Sequence, residues 1–168
     1  MPDNIRWAVL SCFLAAFAGG ASAQSSSAAV PAGPVPVQIA SDKRVFVSNM
    51  GTHVILPSDK DQLEDRPYNE FYAALKAWRR YQLVDTPGDA DLVFEIGFIV
   101  PPGSEPQLRL RIVDAKTHFR LWTIFDPVRV TVRTAKWDKN FADGITNLVN
   151  DLKKLSVRAE ASAQHLNK

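Results

Sequence analysis

The chain has 168 residues, 46% of them hydrophobic, with 20 Lys and Arg against 18 Asp and Glu, one cysteine and three histidines. A net charge of +2 argues against a nucleic-acid or polyanion binder, and this length suits a single domain with a substantial interior. A lone cysteine, Cys12, excludes an intramolecular disulfide, so the fold has to be held by its core.

The first 23 residues read as an export signal: a short polar start with Arg6, the apolar run WAVLSCFLAAF, and GGASA before Gln24. The apolar run falls short of the roughly 20 residues that span a bilayer, so no transmembrane segment is expected after cleavage at Ala23. A lipoprotein reading in which V-L-S-C ends at Cys12 leaves almost no hydrophobic region ahead of the cysteine. The expected location is the periplasm or the exterior. Residues 24–43 are rich in Ser, Ala and Pro and read as a tether, in which Val35, Val37 and Ile39 alternate as a late edge strand would.

The body is expected over 44–156. Arg44 to Met50 is β-rich and closed by Asn49 and Gly51, a first strand. The polar stretch after it reads as loop. Asp65 precedes Pro67, and Tyr68, Phe71, Leu75 and Trp78 recur at three and four, which predicts a helix over Pro67 to Arg80. Arg79 and Arg80 then sit at its negative end. YQLV is a short strand and DTPGD a turn.

From Leu92 the chain alternates, with Leu92, Phe94, Ile96, Phe98 and Val100 on one face and Asp91, Val93, Glu95, Gly97 and Ile99 on the other. Asp91 and Glu95 lie about 13 Å apart along such a strand, too far for one metal or one carboxylate pair. Asp89, Asp91 and Glu95 therefore read as turn and face markers. QLRLRIV alternates again, with Leu108, Leu110 and Ile112 inward and Arg109, Arg111 and Val113 outward. Matching faces across the D-A-K-T turn puts Phe119, Leu121, Thr123 and Phe125 inward and Arg120, Trp122 and Ile124 outward. Val128, Val130 and Val132 then fall out of phase, which predicts a one-residue bulge at Asp126-Pro127. Trp137, Phe141, Ile145, Leu148, Leu152 and Leu155 make a helical stripe in which Gly144 is a weak point, and 157–168 reads as a polar, fraying tail.

The order β-α-β-β-β-β-α predicts an α+β domain: a mixed or antiparallel sheet of about five strands with two helices packed on one face. The segments LKAWRRYQLVDTPGDADLVFEI and LRIVDAKTHFRLW, with the closing helix after KWDKNF, resemble a group of uncharacterised bacterial envelope domains, many exported or lipid-anchored. More distantly they are similar in topology to the amino-terminal domain of TolB. The resemblance spans about Arg44 to Leu155 and rests on turn and core residues. It implies a small periplasmic module that works by contact with other envelope components, and it supplies no catalytic residues. A lipid-anchoring cysteine directly after the signal is missing.

No metal site or cofactor is expected: His53, His118 and His165 lack ligand spacing, and no G-x-S-x-G, G-x-x-x-x-G-K or G-x-G-x-x-G occurs. The expected site is a partner-binding surface on the sheet face away from the helices, formed by Glu95, Arg109, Arg111, Arg120 and Trp122, with Arg129 and Arg133 extending it and Gly97 leaving a flat spot. The bland reading of the same residues is a cross-strand ion pair between Glu95 and Arg111, with Trp122 covered by residues 35–39. A hydrolase or small-ligand protein with a pocket near the 51–66 loop, around His53 and Asp65, is the alternative from another class. Nucleic-acid binding through the Arg-rich sheet is the third reading, disfavoured by export and low net charge.

Overall fold

The computed structural model describes residues 33–53, 64–129, 131 and 133–166. The expected signal peptide, its cleavage point, Cys12 and most of the 51–66 loop lie outside the described residues, as do Val130 and Val132. The elements in chain order are a short helix α1 (Gln38–Ser41), β1 (Arg44–His53), α2 (Arg66–Trp78), β2 (Gln82–Val84), β3 (Leu92–Ile99), β4 (Gln107–Asp114), β5 (Arg120–Pro127) and a long helix α3 (Thr134–Leu166).

The five strands form one sheet in the order β2-β1-β3-β4-β5. β1 runs parallel to both β2 and β3, because α2 carries the chain back across the sheet between β1 and β2. β3, β4 and β5 follow as an antiparallel meander. The result is a mixed α+β sheet of five strands, as the order of elements predicts.

Period-two alternation decides which side is buried. Leu92, Phe94, Ile96 and Phe98 of β3 and Leu108, Leu110 and Ile112 of β4 are all fully buried, on the face that receives the helices. The helical stripes meet them: Phe71 and Leu75 from α2, and Phe141, Ile145, Leu148, Leu152 and Leu155 from α3. Ring contacts knit the layers, Phe71 to Phe94 at 6.4 Å and Phe98 to Phe141 at 5.7 Å between centroids. Each such side chain stabilises the fold by about 1.5–3 kcal/mol relative to exposure. Arg66 ties the two helices together, with Nε 2.7 Å from Glu70, Nη1 2.6 Å from Asp138, and its guanidinium 4.3 Å from the Phe141 ring centre.

Four features correct the sequence reading. Residues 35–39 form no strand; they lead into α1, with Val35 and Ile39 buried and the Tyr81 hydroxyl donating to Ile39 O at 2.9 Å. This part of the expected tether therefore belongs to the body. The expected polar tail continues α3 to Leu166, because Ala159 is fully buried and Glu160 pairs with Arg80 at 2.8 Å.

The bulge is also elsewhere. The β4–β5 ladder runs unbroken through Leu108↔Asp126 and Gln107↔Pro127, and its irregularity lies at the other end, where Ile112 faces Trp122 but Val113 faces Arg120. Leu121 is the extra residue, and it moves the phase of the strand by one. The fourth correction follows. Trp122, Ile124 and Asp126 stand on the helix face, opposite Ile112, Leu110 and Leu108, while Thr123 and Phe125 stand on the reverse face opposite Arg111 and Arg109. Phe119, expected inside, is 74% exposed.

Candidate interaction surface

The reverse face is built from the odd positions of β3 and β4. Glu95 and Arg111 are direct cross-strand partners, and Glu95 Oε2 lies 2.7 Å from Arg111 Nε. Arg111 also reaches back over β1, with Nη2 3.8 Å from Met50 Sδ. Arg109 stands beside them opposite Gly97 on one side and Phe125 on the other. Arg120 registers with Val113 and is exposed.

Four of the five residues expected on this surface thus share it: Glu95, Arg109, Arg111 and Arg120. Trp122 does not. It packs on the helix side against the core, with the Arg158 guanidinium of α3 at 6.0 Å from its ring. The aromatic that does face out beside Arg109 is Phe125, half exposed, which the sequence phase had turned inward. Nor is Gly97 a bare patch. β1 bulges between Asn49 and Thr52, with Gly51 at φ +66°, and a Cβ on Gly97 would come within 3.0 Å of Met50 Cβ and 3.1 Å of the Gly51 carbonyl. Asn49 Oδ1 holds this bulge by accepting from Gly51 N at 2.9 Å.

The other acids have structural partners. Asp91 accepts from Arg44 Nη2 at 2.7 Å, Nε at 3.2 Å and the backbone N–H at 3.1 Å, and the guanidinium holds its pKa down at about 2. Asp89 accepts from the Thr86 hydroxyl within the turn. Asp114 opens the β4–β5 turn by accepting from the N–H groups of Lys116 and Thr117, which lowers its pKa. His118 completes that turn at φ +59°.

One carboxylate went unnoticed in the sequence. Asp126 is 8% exposed and points at α3, where burial first and the charge of Asp151 second push its pKa up, with a hydrogen bond from Asn147 opposing them. An inward acid at the end of an edge strand breaks the apolar alternation, and that break is its sequence signal. Among the described residues, no group of three or more His, Cys, Asp or Glu is placed to hold a metal. No helix among them is long and apolar enough to cross a membrane. Asp65, half of the alternative site, accepts from Asn49 Nδ2 at 2.7 Å; His53, the other half, ends β1 in register with Ile99, and 54–63 lie outside the described residues.

Fold and surface together define an α+β domain with helices on one side of a mixed sheet and an arginine-bearing reverse side. No protein-family model matches the chain, and no curated protein matches it either. Solved structures resemble it in fold at low identity. A single-substitution variant of the PelC dodecamer from Paraburkholderia phytofirmans is 12% identical over 73% of this chain and 94% of that chain, with a TM-score of 0.48. Protein XCC0632 from Xanthomonas campestris is 12% identical over 80% and 95%, with a TM-score of 0.46. Lipoprotein GNA1162 from Neisseria meningitidis is 12% identical over 64% and 99%, with a TM-score of 0.41. These likenesses transfer no residue roles, and the comparisons do not show the expected TolB similarity.

Proposed function

We propose that this chain is an exported, non-enzymatic accessory module of the bacterial cell envelope, and that it binds a protein partner through the reverse face of its sheet. The observation that carries the reading is the β4–β5 half of that face, where exposed Arg120, half-exposed Phe125 and partly buried Arg109 share one side of the sheet. Arg111 is neutralised by Glu95, so the remaining cations leave this area positive. A partner suited to it presents carboxylates around an apolar centre, since arginine and aromatic side chains supply most of the energy in such contacts.

Trp122 has no part in this contact, because its ring is on the helix side. The test is a photo-crosslinking residue at Arg109 in intact cells. Capture of one envelope protein that is lost on Phe125→Ala with Arg120→Glu, at unchanged circular dichroism, supports the reading. Equal capture after those substitutions, or equal capture of the same protein from an exposed α3 position, overturns it.

A further inference from the structure

β5 is an edge with no other strand of the sheet on its outer side, and its bonding phase is fixed by the Val128 N–H, which donates to Pro106 O at 2.8 Å. Directly opposed antiparallel residues bond at every second position, so Trp122, Ile124 and Asp126 aim their backbone groups at β4. Thr123 and Phe125 aim theirs away from the sheet. Natural edges are blunted by inward charges, prolines and bulges. β5 carries these only at its ends, Asp126 and Pro127 at one and the extra residue Leu121 at the other, so Trp122 to Phe125 keeps an open edge.

Clefts flank that stretch. On the helix side it lines one of about 310 Å³ with Asp151, Lys154, Leu155 and Arg158 of α3. Another, of about 400 Å³, reaches the reverse face along Thr123, Phe125 and Arg120. Charge along the edge is positive on balance: Arg120, Lys153, Lys154 and Arg158 stand against Asp126 and Asp151. Lys154 Nζ is 2.7 Å from Asp151 Oδ1 and Lys153 Nζ lies 5.6 Å from the Trp78 ring centre, so these cations are engaged. Arg158, over the Trp122 ring, and Arg120 have no carboxylate partner among the described residues.

We propose that this edge takes an extended, acidic segment of a partner protein as an added strand, paired to the outward backbone groups of Thr123 and Phe125. Its helix-facing positions present carboxylates to Arg158, and its alternate positions present apolar side chains to Phe125 on the reverse face. The inference rests on the reading of the reverse face as a protein-binding surface, and it names the form in which the partner arrives. Main-chain pairing supplies affinity, and the alternation of acidic and apolar side chains supplies specificity. A basic strand would add cations beside Arg158 and Arg120. A second copy is disfavoured by the same charge, since a two-fold axis across the edge sets Lys154 against Lys154.

The probe is a synthetic peptide of alternating Glu and Val, about eight residues long, with a Lys and Val peptide of equal length as control. Amide hydrogen exchange of the purified chain, read by NMR, is expected to slow at Thr123 and Phe125 with the Glu peptide and to stay unchanged with the Lys peptide. N-methylation of one alternate set of peptide amides, the set facing β5, abolishes the effect, and methylation of the other set does not. Arg158→Glu raises the dissociation constant of the Glu peptide about tenfold, and Thr123→Pro, which removes an N–H that β4 does not use, raises it at least as much. The methylated peptides hold the test even if Thr123→Pro unfolds the chain. Unchanged exchange with the Glu peptide, equal slowing by the Lys peptide, or equal effects of the two methylation sets overturns the added strand. Slowing that grows with protein concentration in the absence of peptide assigns the edge to a second copy, and slowing already complete in the dilute chain assigns it to a segment of this chain; either overturns the acidic occupant. Capture from Arg109 that is lost on Phe125→Ala with Arg120→Glu, yet kept in both Arg158→Glu and Thr123→Pro, overturns the edge while the reverse-face reading stands.

Discussion

Glu95 and Arg111 stand directly opposite each other in β3 and β4, with 2.7 Å between Oε2 and Nε, in the middle of a sheet face otherwise rich in arginine. Both side chains keep part of their surface in water, 23% and 29% respectively, so solvent screens the pair. A double-mutant cycle with Glu95→Gln and Arg111→Met, read by urea unfolding, is expected to return a coupling of under about 1 kcal/mol. A coupling several times larger would mean that the pair is a main support of the sheet.

Gly144 lies where α3 crosses β4 and β5. A Cβ there would come within 3.1 Å of Leu108 Cδ1 and 3.2 Å of Val128 Cγ2, and both neighbours are fully buried. Alanine would raise helix propensity by about 1 kcal/mol, but crowding a packed core costs roughly 1–3 kcal/mol. Gly144→Ala is therefore expected to lower stability by about 1 kcal/mol in chemical denaturation. A rise in stability would show that the helix shifts freely on the sheet.

Asp91, just ahead of the central strand β3, and Asp126, in the edge strand β5, predict opposite responses to pH. Asp91 has its folded pKa lowered to about 2 from 3.8, first by its hydrogen bonds from Arg44. Its stabilisation is present above 3.8 and is lost as pH falls toward 2. Asp126 has its pKa raised above 3.8, first by burial. The folded state holds that proton more tightly, so stability is gained as pH falls through the raised value and is complete below 3.8. Asp126→Asn should be more stable than the parent at neutral pH and lose that advantage near pH 3.8, whereas Asp91→Asn should be less stable at neutral pH and converge with the parent at acid pH. Unfolding midpoints measured across this range decide both.

The contrast between β3–β4 and β5 shows what the amino-acid order reveals. Strict alternation fixes Leu92 to Phe98 and Leu108 to Ile112 as the buried face, and the helical stripes of α2 and α3 follow from their three and four spacing. Four residues of the surface are legible for the same reason. β5 is not, because its phase depends on Leu121 being extra in the ladder, a property of pairing with β4 that no local pattern carries. The run LWTIF is apolar at adjacent positions, so either face is acceptable to it, and the apparent phase change at Pro127 is a consequence of starting β5 on the wrong face. The tail errs differently. RAEASAQHL looks polar, yet Ala159 meets the core and Glu160 is held by Arg80, 80 residues earlier in the chain.

Removal of 157–168 is accordingly expected to destabilise the protein rather than trim a loose end. It would take away buried Ala159, the Arg80–Glu160 pair and the Arg158 contact with Trp122. Burial of small side chains and one exposed pair together give an expected loss of about 1–3 kcal/mol. A truncated chain with an unchanged thermal midpoint would return this segment to the status of a tail.

Trp122 supplies the sharpest separation of packing from recognition. Its ring belongs to the partly buried group packed on the core, opposite Ile112 and under Arg158. Truncation to alanine leaves a void between β5 and α3, and a partly buried ring of this size should cost about 2–3 kcal/mol. Phe125, on the open face and half exposed, loses little when truncated, under about 1 kcal/mol. Urea unfolding should therefore move strongly for Trp122→Ala and barely for Phe125→Ala, while capture of an envelope partner should respond in the reverse order once the Trp122 variant is assayed where it remains folded. Equal stability losses at the two positions would place both rings on the same side of the sheet and remove the basis for assigning the arginine face to recognition.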